Sequence, residues 1–382
     1  MKKTCSIVLV AVNGYGRTHA NAALDYQGDI DLQIAGMVDP TVSVFSRMDE
    51  VAARGIPCFA SLDEFFAAGH RADIAFIATP IHTHKTLTAL AMRHGCHVYC
   101  EKPVAGNLAE ALEMHEFPGA YGKWLEIGFQ LSHNPTILAM KRDILAGVYG
   151  KPLRMKSIVL WPRNSAYYRR GWAGKKFAQD GVPIWDSIAA NATAHYIHNM
   201  LFLLGGAINA CAMPAKVQTS LWRANDIETF DACALDITTE NGTQLLYYAA
   251  HCTDTLRDPE AMYEFENGSF SFCTVGGGNV VGRLHDGRVI DYGDLDAQAP
   301  VLHTIAEAFA LDEPDKLTCP ITAAMGHIHV MEEVNATLDT VHICPITQKR
   351  DVLQTGGETL TVYNGLAERL AAGYEAWRFV SE

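Results

Sequence analysis

A glycine turn directly after an apolar run is the first place in this chain where residue types suggest ligand chemistry. Residues 5–12 are almost all apolar and lead into Asn13-Gly14-Tyr15-Gly16, which precedes a predicted helix. Backbone N–H groups of such a turn, together with a helix N-terminus, can bind a pyrophosphate. The dinucleotide pattern G-x-G-x-x-G is read here as Ala11-x-Asn13-x-x-Gly16, which is also compatible with an ordinary turn. Because Ala11 is small and Asn13 tolerates a left-handed backbone, we expect the loop to keep its shape.

Asp39 is the next residue with a clear chemical use. It ends the second predicted strand, residues 32–38, and lies 23 positions after Gly16. A carboxylate at this position can accept hydrogen bonds from an adenosine ribose diol, and it repels a 2'-phosphate. The sequence therefore predicts a pyridine dinucleotide as cofactor, with NAD favoured over NADP.

Two histidines and an aspartate suggest chemistry in a later segment. His195 and His198 are three residues apart on a helix predicted over residues 187–204, so they can share one face. A metal ion bound with Asp186, His133 or His251 is conceivable, but a histidine on a packed helix is more often a buried core residue. We therefore predict no metal site. Asp186 precedes the helix, where it could either cap the N-terminus or contact a substrate.

The elements that position these residues alternate between strand and helix in the first third of the chain. Apolar strands are predicted at residues 5–12, 32–38, 73–80 and 97–100, each followed by a helix. The helix after the second strand is predicted over residues 41–54, and a further helix is predicted to begin with Ser61 as its N-cap. This alternation is typical of a parallel sheet with right-handed crossovers, in which a ligand binds beyond the carboxyl ends of the strands. The glycine turn, Asp39, Thr79-Pro80 and Glu101-Lys102-Pro103 all fall at those ends.

The chain changes character near residue 128. Seven strand-like segments lie between residues 153 and 285 with few helices between them, which favours one large antiparallel sheet. We therefore predict an α/β protein in two parts. A doubly wound parallel sheet occupies residues 1–128, and an α+β domain with a large, open, mostly antiparallel sheet occupies residues 129–382.

Composition limits the classes of protein to which this chain can belong. It has 382 residues, 49% of them hydrophobic, and no apolar run near the roughly 20 residues of a membrane span. The formal net charge of -13 disfavours nucleic acid and anionic membranes as partners. The ten cysteines are scattered without a C-x-x-C pair, and the N-terminus leads directly into a strand without a signal peptide. These features predict a cytoplasmic protein with reduced cysteines.

Four motifs in a fixed order resemble the Gfo/Idh/MocA oxidoreductases. They are Gly14-Tyr15-Gly16-Arg17-Thr18-His19, Ala78-Thr79-Pro80-Ile81-His82-Thr83-His84, Glu101-Lys102-Pro103 and the segment from Ala194 to Gly205. Each motif alone is unremarkable, but their order over nearly the whole chain is diagnostic. Members of this family combine an N-terminal Rossmann domain with a C-terminal domain on an open, mostly antiparallel sheet, so the resemblance implies the same fold here.

The resemblance also implies roles for individual residues. In relatives the lysine of Glu-Lys-Pro lies near the nicotinamide, so Lys102 is expected to stabilise a developing alkoxide and to relay a proton. Relatives carry Asp-x-x-x-His where this chain has Asn191 and His195; His195 is therefore expected to act as acid or base, oriented by Asn191 without a carboxylate's charge. The expected cofactor-binding residues are Ala11, Asn13, Gly14, Tyr15, Gly16, Asp39, Thr79, Pro80, His84, Glu101 and Lys102.

Aromatic and cationic residues cluster after the first predicted strand of the second part. Aromatic faces beside hydrogen-bonding cations suit a sugar ring or a polyol, including one that carries a carboxylate. The expected substrate-binding residues are Trp161, Arg163, Tyr168, Trp172, Asp186 and His198. Some of them can instead pack the sheet or a subunit interface. Because apolar sheet faces without covering helices are commonly buried between subunits, we expect a homodimer or homotetramer formed through the C-terminal sheet.

These features predict an NAD(P)-dependent oxidoreductase that transfers hydride between nicotinamide and a secondary alcohol or carbonyl of a sugar, polyol or related small molecule. Two alternatives remain open. One is redox-neutral chemistry, either epimerisation or glycosidic cleavage, with a tightly bound NAD that is reduced transiently. The other is a non-catalytic NAD-binding sensor, which the altered glycine turn and Asn191 favour.

Overall fold

The computed structural model of the chain describes residues 2–273, 278–295 and 300–381. The chain divides into two units. The first comprises Met1–Ala105, Ala109–His133 and Ala299–Ala324, and the second comprises Gly106–Leu108, Asn134–Gln298 and Met325–Glu382. Within the described residues, no helix combines the length and the apolar character that crossing a bilayer requires.

The first unit is built around a parallel sheet of six strands. These are β1 (Thr4–Val10), β2 (Asp31–Val38), β3 (Cys58–Phe59), β4 (Ile74–Ile77), β5 (His97–Cys100) and β6 (Leu125–Ile127), in the spatial order β3-β2-β1-β4-β5-β6. Every pairing is parallel. The order of strands reverses between β1 and β4, so the carboxyl ends of these two strands border the crevice at which such sheets bind ligands. The predicted doubly wound parallel sheet is confirmed.

The second unit contains a sheet of nine strands. Its members are β7 (Pro152–Leu160), β8 (Pro214–Arg223), β9 (Ala232–Thr239), β10 (Gln244–Ala250), β11 (Arg257–Phe265), β12 (Gly268–Cys273), β13 (Asn279–Leu284), β14 (Val289–Asp294) and β15 (His342–Ile343). Their order is β14-β13-β12-β11-β7-β10-β9-β8-β15. Only the β7–β10 and β8–β15 pairs are parallel among these described strands, which confirms the mostly antiparallel sheet. A separate hairpin joins β16 (Lys349–Leu353) to β17 (Thr359–Tyr363).

The helices agree with the sequence pattern where a local signal defines them. They are α1 (Gly16–Leu24), α2 (Met48–Ala53), α3 (Leu62–Ala67), α4 (His84–Arg93), α5 (Leu108–Tyr121), α6 (Pro135–Leu145), α7 (Ser165–Tyr168), α8 (Ala194–Leu203), α9 (Val301–Leu311), α10 (Ile321–Asn335) and α11 (Leu366–Glu375). At the start of α3 the Ser61 hydroxyl accepts the Glu64 N–H, and the Glu64 carboxylate accepts the Ala60 N–H. This capping arrangement explains why the predicted helix begins there.

The helix predicted over residues 41–54 is shorter in the structure. Only a 3-10 turn at Val42–Val44 and helix α2 are helical in this stretch. Phe45, between them, has an extended backbone and a buried ring that belongs to the hydrophobic core of the first unit. Burial of this ring interrupts the helix that the local sequence favours.

Residues 299–324 group with the first unit, although the predicted boundary after residue 128 assigned them to the C-terminal domain. The reason lies in α9, whose residues Leu302, Ile305 and Ala306 are spaced for one helix face and are fully buried in the core formed by β1, α1 and their neighbours. An amphipathic helix pattern reveals which face is buried. It does not reveal which sheet that face covers.

The helix predicted over residues 187–204 is not continuous. Residues Ile188–Ala192 form a π-helical turn, Thr193 leaves helical geometry, and α8 begins at Ala194. The Thr193 hydroxyl donates to the carbonyl oxygen of Ile188 at 2.6 Å, which satisfies a helix-end acceptor at the break. Asn191 and His195 are therefore not successive residues on one α-helical face, as the predicted helix required.

Candidate functional site

The turn after β1 has the geometry of an anion-binding loop. A Cβ at Gly16 would lie 2.1 Å from the carbonyl oxygen of Ala11, so the close approach requires glycine. Ala11 and Gly14 have positive φ angles of 69° and 56°. The left-handed backbone in this loop is therefore at Ala11 and Gly14, and Asn13 does not adopt it. No side chain caps the N-terminus of α1, which leaves its first N–H groups suited to a phosphate.

Asp39, at the end of β2, holds this turn in place. Its Oδ2 accepts the N–H groups of Val12 and Asn13 at 3.0 and 3.1 Å, and its Oδ1 accepts the N–H and hydroxyl of Thr41, each at 2.8 Å. The residue is only 7% exposed. Burial alone would raise the pKa of Asp39, but the hydrogen bonds from Thr41, Val12 and Asn13 outweigh it and lower the pKa. Asp39 therefore stays charged and keeps the loop shaped.

Asn13 also contributes through its side chain. Its Nδ2 donates to the carbonyl oxygen and hydroxyl of Thr41 at 2.9 and 3.1 Å. Asn13 and Asp39, which the sequence analysis singled out, thus both join the turn after β1 to the segment after β2. Asn13 acts here as a donor that links two loops.

Glu101, at the end of β5, is the centre of a second buried network. His19 of α1 bonds its Oε1 through Nε2 at 2.9 Å, and the Tyr99 hydroxyl donates to the same oxygen at 3.3 Å. The backbone N–H of Lys102 donates to Oε2 at 3.3 Å. Because a carboxylate only accepts, His19 carries its proton on Nε2. Glu101 therefore ties helix α1 to the backbone at Lys102.

His84 connects the two loops that follow β4 and β5. Its Nε2 lies 3.0 Å from the carbonyl oxygen of Thr79, and its Nδ1 lies 2.9 Å from that of Pro103. Burial lowers the pKa of His84 against the opposing effect of these carbonyl groups. A neutral imidazole has one N–H and donates to one carbonyl at a time. The ring thereby holds Thr79-Pro80 next to the segment that carries Lys102.

These residues fit a dinucleotide at the carboxyl edge of the first sheet. The glycine turn, Asp39, Thr79-Pro80 and Glu101-Lys102 come from the ends of four adjacent strands, β1, β2, β4 and β5. There is open space beyond the Cβ position at Gly14, and the N-terminus of α1 has no side-chain cap. The structure thus brings together the cofactor-binding set that the sequence indicated.

In the second unit, Asn191 lies beside Asp186. Its Nδ2 donates to Asp186 Oδ1 at 2.9 Å, and the Gly174 N–H donates to Asp186 Oδ2 at 2.7 Å. The N-terminal cap of the π-helical turn is Ser187, which accepts the Ala190 N–H, so the capping alternative for Asp186 is wrong. Asp186 is instead a buried carboxylate that meets the Asn191 amide.

The two histidines of α8 differ in exposure. His195 is partly buried, whereas His198 is fully buried, and its ring is stacked at 5.8 Å on Phe202. Within residues 2–273, 278–295 and 300–381, no three His, Cys, Asp or Glu side chains group in a way that could hold a metal ion. The roles of both histidines stay predictions.

In the loop after β7, the aromatic and cationic side chains contact one another. The Arg163 guanidinium lies 5.5 Å from the rings of both Trp161 and Tyr167, and the Trp161 indole N–H donates to Asp258 at 3.2 Å. Trp172 lies near the Arg170 guanidinium, at 5.9 Å. Arg163 and the aromatic faces are thus clustered, as the sequence indicated.

Sequence reasoning missed the contacts of two candidate functional residues, His19 and His251. His19 bonds Glu101, and the signal that could have identified it is its place in the first turn of the helix after the glycine turn. His251 lines a small pocket with Tyr168 and Asp186, and it directly follows the buried strand β10. A histidine that directly follows a buried, mostly apolar strand is the signal there.

Comparison with known proteins adds family information for the first unit. Residues 6–129 match the family model described as "Oxidoreductase family, NAD-binding Rossmann fold". The rhizopine catabolism protein MocA of Rhizobium meliloti is 29% identical over 184 residues, which are 47% of this chain and 55% of that protein. Inositol 2-dehydrogenase 4 of Saccharopolyspora erythraea is 36% identical over 84 residues, 22% of this chain and 25% of that protein. The matched segments thus span about a quarter to half of these relatives.

Solved structures extend the likeness to both units. The WlbA dehydrogenase from Bordetella pertussis, solved in complex with NADH and UDP-GlcNAcA, is 19% identical. The match covers 89% of this chain and 97% of that chain, with a TM-score of 0.67. At this identity the likeness shows the shared fold.

Proposed function

Because residues 6–129 match the model of an oxidoreductase family with an NAD-binding Rossmann fold, we propose that this chain is a Gfo/Idh/MocA oxidoreductase and an NAD-dependent dehydrogenase of a sugar or polyol. The reaction is hydride transfer between nicotinamide and a secondary alcohol or carbonyl. The observation that carries this proposal is the position of Lys102 at the carboxyl edge of the first sheet. There Glu101 and His84 fix its backbone beside the glycine turn.

Each residue of this edge has a proposed task. The N–H groups of the glycine turn and of α1 bind the pyrophosphate, and NAD supplies the hydride acceptor. The Lys102 ammonium stabilises the alkoxide that forms as the alcohol loses its proton, and Lys102 relays that proton to solvent. Loss of hydride from the alkoxide then gives the carbonyl. Glu101 and His84 position Lys102 through its backbone and through Pro103. His195 is the proposed second acid or base. Asn191 is proposed to act through its hydrogen bond to Asp186.

The preference for NAD over NADP is proposed from Asp39. A 2'-phosphate next to its charged carboxylate would be repelled. The four protein hydrogen bonds to Asp39 use the acceptor sites of its two oxygens, so a ribose diol has to replace a protein donor. The Thr41 hydroxyl is the donor that can rotate away without moving the backbone.

The substrate class is proposed from the second unit. Arg163 between Trp161 and Tyr167 offers aromatic faces and a cation, which suit a hydroxylated ring or a sugar acid. Relatives named as inositol 2-dehydrogenases support a polyol. We therefore propose a sugar or polyol substrate bound by Trp161, Arg163, Tyr168, Trp172, Asp186 and His198.

We also propose that the protein works in the cytoplasm as a homodimer or homotetramer. Two apolar side chains near β16 support a subunit contact, since Ile346 is 88% exposed and Leu353 is 77% exposed. Exposed apolar groups of this kind are commonly covered by a second subunit. Light scattering of the purified full chain measures the mass and tests the oligomer directly.

The test of the proposed function is NADH formation with a panel of sugars, sugar acids and inositols. We expect stoichiometric NADH with at least one member, and tighter binding of NAD than of NADP by calorimetry. NAD that copurifies, resists dialysis and is never released as NADH would overturn net oxidation in favour of redox-neutral chemistry. Binding of NAD without turnover of any panel member would support the sensor alternative instead.

A further inference from the structure

The second unit contains a small pocket whose walls are partly polar and partly apolar. They include Tyr167, Tyr168, Asp186, Ser187 and His251, with Phe230 among the apolar neighbours. The pocket is partly open to solvent. Pockets that bury a whole small ligand enclose roughly 300–1,000 Å³. This one is far smaller and admits about one water-sized group.

His251 presents a hydrogen-bond acceptor in this pocket. Its Nδ1 lies 2.7 Å from the carbonyl oxygen of Trp161, and a carbonyl oxygen only accepts, so Nδ1 carries the proton. The Nε2 atom is then a lone-pair acceptor. It is buried and has no hydrogen-bond partner among the residues that the structure describes, and the whole residue is only 2% exposed. Burial, with the charge of Arg163, lowers the pKa of His251 to about 3, which keeps the ring neutral.

Tyr168 presents a hydrogen-bond donor. Its hydroxyl oxygen is also buried, and within the described part of the chain it has no hydrogen-bond partner. Burial, followed by the charge of Asp231, raises the pKa of Tyr168 well above its ordinary value. The hydroxyl therefore keeps its proton. The Asp186 carboxylate in the same wall is held by Gly174 and Asn191, so its position is fixed.

Two buried polar groups without partners in one pocket indicate a ligand. Each costs about 1–3 kcal/mol while its hydrogen bond is unmade. The ligand group that satisfies both must donate to His251 Nε2 and accept from the Tyr168 hydroxyl. A hydroxyl does both, whereas a carboxylate cannot donate and an ammonium cannot accept. The Asp186 carboxylate in the wall also repels an anion.

We propose that this pocket receives one hydroxyl group of a polyhydroxylated substrate, with His251 as its acceptor and Tyr168 as its donor. The assignment rests on the proposed function for the class of substrate. It adds His251 as a specificity-determining residue and gives Tyr168 a defined contact. Before substrate binds, a water molecule satisfies the same two groups.

The first experiment is a crystal structure of the NAD-bound protein with and without glycerol as a probe. We expect a water oxygen within hydrogen-bond distance of both Tyr168 Oη and His251 Nε2, and its replacement by a glycerol hydroxyl. An adventitious additive only, bound equally in a Tyr168→Phe crystal, would overturn the proposal. If the water is not replaced in the glycerol crystals, the pocket holds a structural water, and this result would also overturn the proposal.

The second experiment measures selectivity on the panel member that yields NADH and on its monodeoxy analogues. We expect Tyr168→Phe to lower kcat/KM about 10- to 100-fold on the full substrate and less than about 3-fold on one monodeoxy analogue. His251→Asn, whose amide can keep the contact to Trp161, should show the same loss on the same position. Equal losses on all analogues would contradict the proposal.

Tyr248→Phe is the matched control for these variants. The Tyr248 hydroxyl is hydrogen-bonded to the carbonyl oxygen of Arg378, outside the pocket, so its loss should leave the selectivity unchanged. If no panel member yields NADH, the proposed function fails. The glycerol crystals still test whether the pocket binds a hydroxyl group. If NADH forms and Tyr168→Phe leaves selectivity unchanged, the pocket assignment fails alone.

Discussion

The carboxyl edge of the first sheet and the pocket of the second unit differ in whether the protein itself satisfies the hydrogen bonds of their buried polar groups. At the edge, Asp39 accepts four hydrogen bonds from the protein and Glu101 accepts three. In the pocket, the Tyr168 hydroxyl and His251 Nε2 are buried, and neither has a hydrogen-bond partner in residues 2–273, 278–295 and 300–381. A carboxylate with every acceptor site used stabilises the loops around it, whereas an unsatisfied buried group costs free energy.

This difference separates two ways of preparing a binding site. At the edge, charges are used to shape the backbone, so the cofactor meets a loop that is already formed. In the pocket, hydrogen bonds are left for the ligand to complete, so recognition depends on what the ligand carries. We therefore expect substitutions at the edge to change stability or turnover, and substitutions in the pocket to change selectivity.

The largest effect is expected at Lys102, the proposed catalytic residue whose backbone N–H donates to Glu101. Lys102→Ala should lower turnover by about 100-fold or more, because the alkoxide loses its cation, while NAD affinity stays near the wild-type value. Steady-state kinetics and calorimetry measure the two quantities. Lys85→Ala is the control, since Lys85 forms partly exposed ion pairs with Glu110 and Glu113. Turnover within about threefold of wild type would remove Lys102 from the mechanism.

A smaller effect, on stability, is expected at Asp39. Asp39→Ala should lower the free energy of unfolding by about 2–3 kcal/mol at pH 7, because the buried N–H groups of Val12 and Asn13 lose their acceptor. The pKa of Asp39 is lowered in the folded protein, so its contribution is present above the ordinary aspartate pKa near about 3.9. It is lost as pH falls through the lower folded-state pKa.

Urea denaturation at several pH values tests this prediction. The difference between wild type and Asp39→Ala should be largest at neutral pH and should shrink below about pH 4. Asp25→Ala is the control, because Asp25 makes an exposed ion pair with Arg47, and such pairs contribute little to stability. A pH-independent difference for Asp39→Ala would contradict the role assigned to its charge.

A third prediction concerns Asn191, which stands where relatives are expected to carry aspartate. Asn191→Asp places a second carboxylate beside Asp186, at a contact that is now 2.9 Å long. Repulsion raises the pKa of the pair, so we expect a stability loss of about 1–2 kcal/mol at pH 7. Because the raised pKa favours protonation, the loss should diminish as pH falls toward 4. Asn191→Ala, which adds no charge, should show a loss without this pH dependence.

The smallest effect is expected for the stability of Tyr168→Phe. The hydroxyl has no hydrogen-bond partner among the described residues and is proposed to bond only a pocket water, so its removal should change the free energy of unfolding by less than about 0.5 kcal/mol. Tyr248→Phe removes a hydrogen bond to Arg378 and should cost about 1 kcal/mol. Equal costs in thermal or urea unfolding would show that Tyr168 bonds the protein, and would remove the contrast between the edge and the pocket.

Local signals predicted some elements of this molecule well and others poorly. The Ser61 cap and the glycine turn after β1 were predictable, because each is encoded by a few neighbouring residues. The break at Thr193 was not, since it depends on a π-helical turn that an apolar helical pattern does not reveal. The contact of His19 with Glu101 joins residues 82 positions apart and has no local signature.

The sequence by itself determined the classes of the two sheets, the order of the motifs and the placement of Asp39 and Lys102 at strand ends. Strand periodicity and glycine turns are local properties, so they are readable from the chain. The tertiary structure decided that α9 covers the first sheet, that Asp39 shapes the glycine turn, and that His251 and Tyr168 share one pocket. These outcomes depend on which distant surfaces pack together, and packing is determined by the fit of the whole fold.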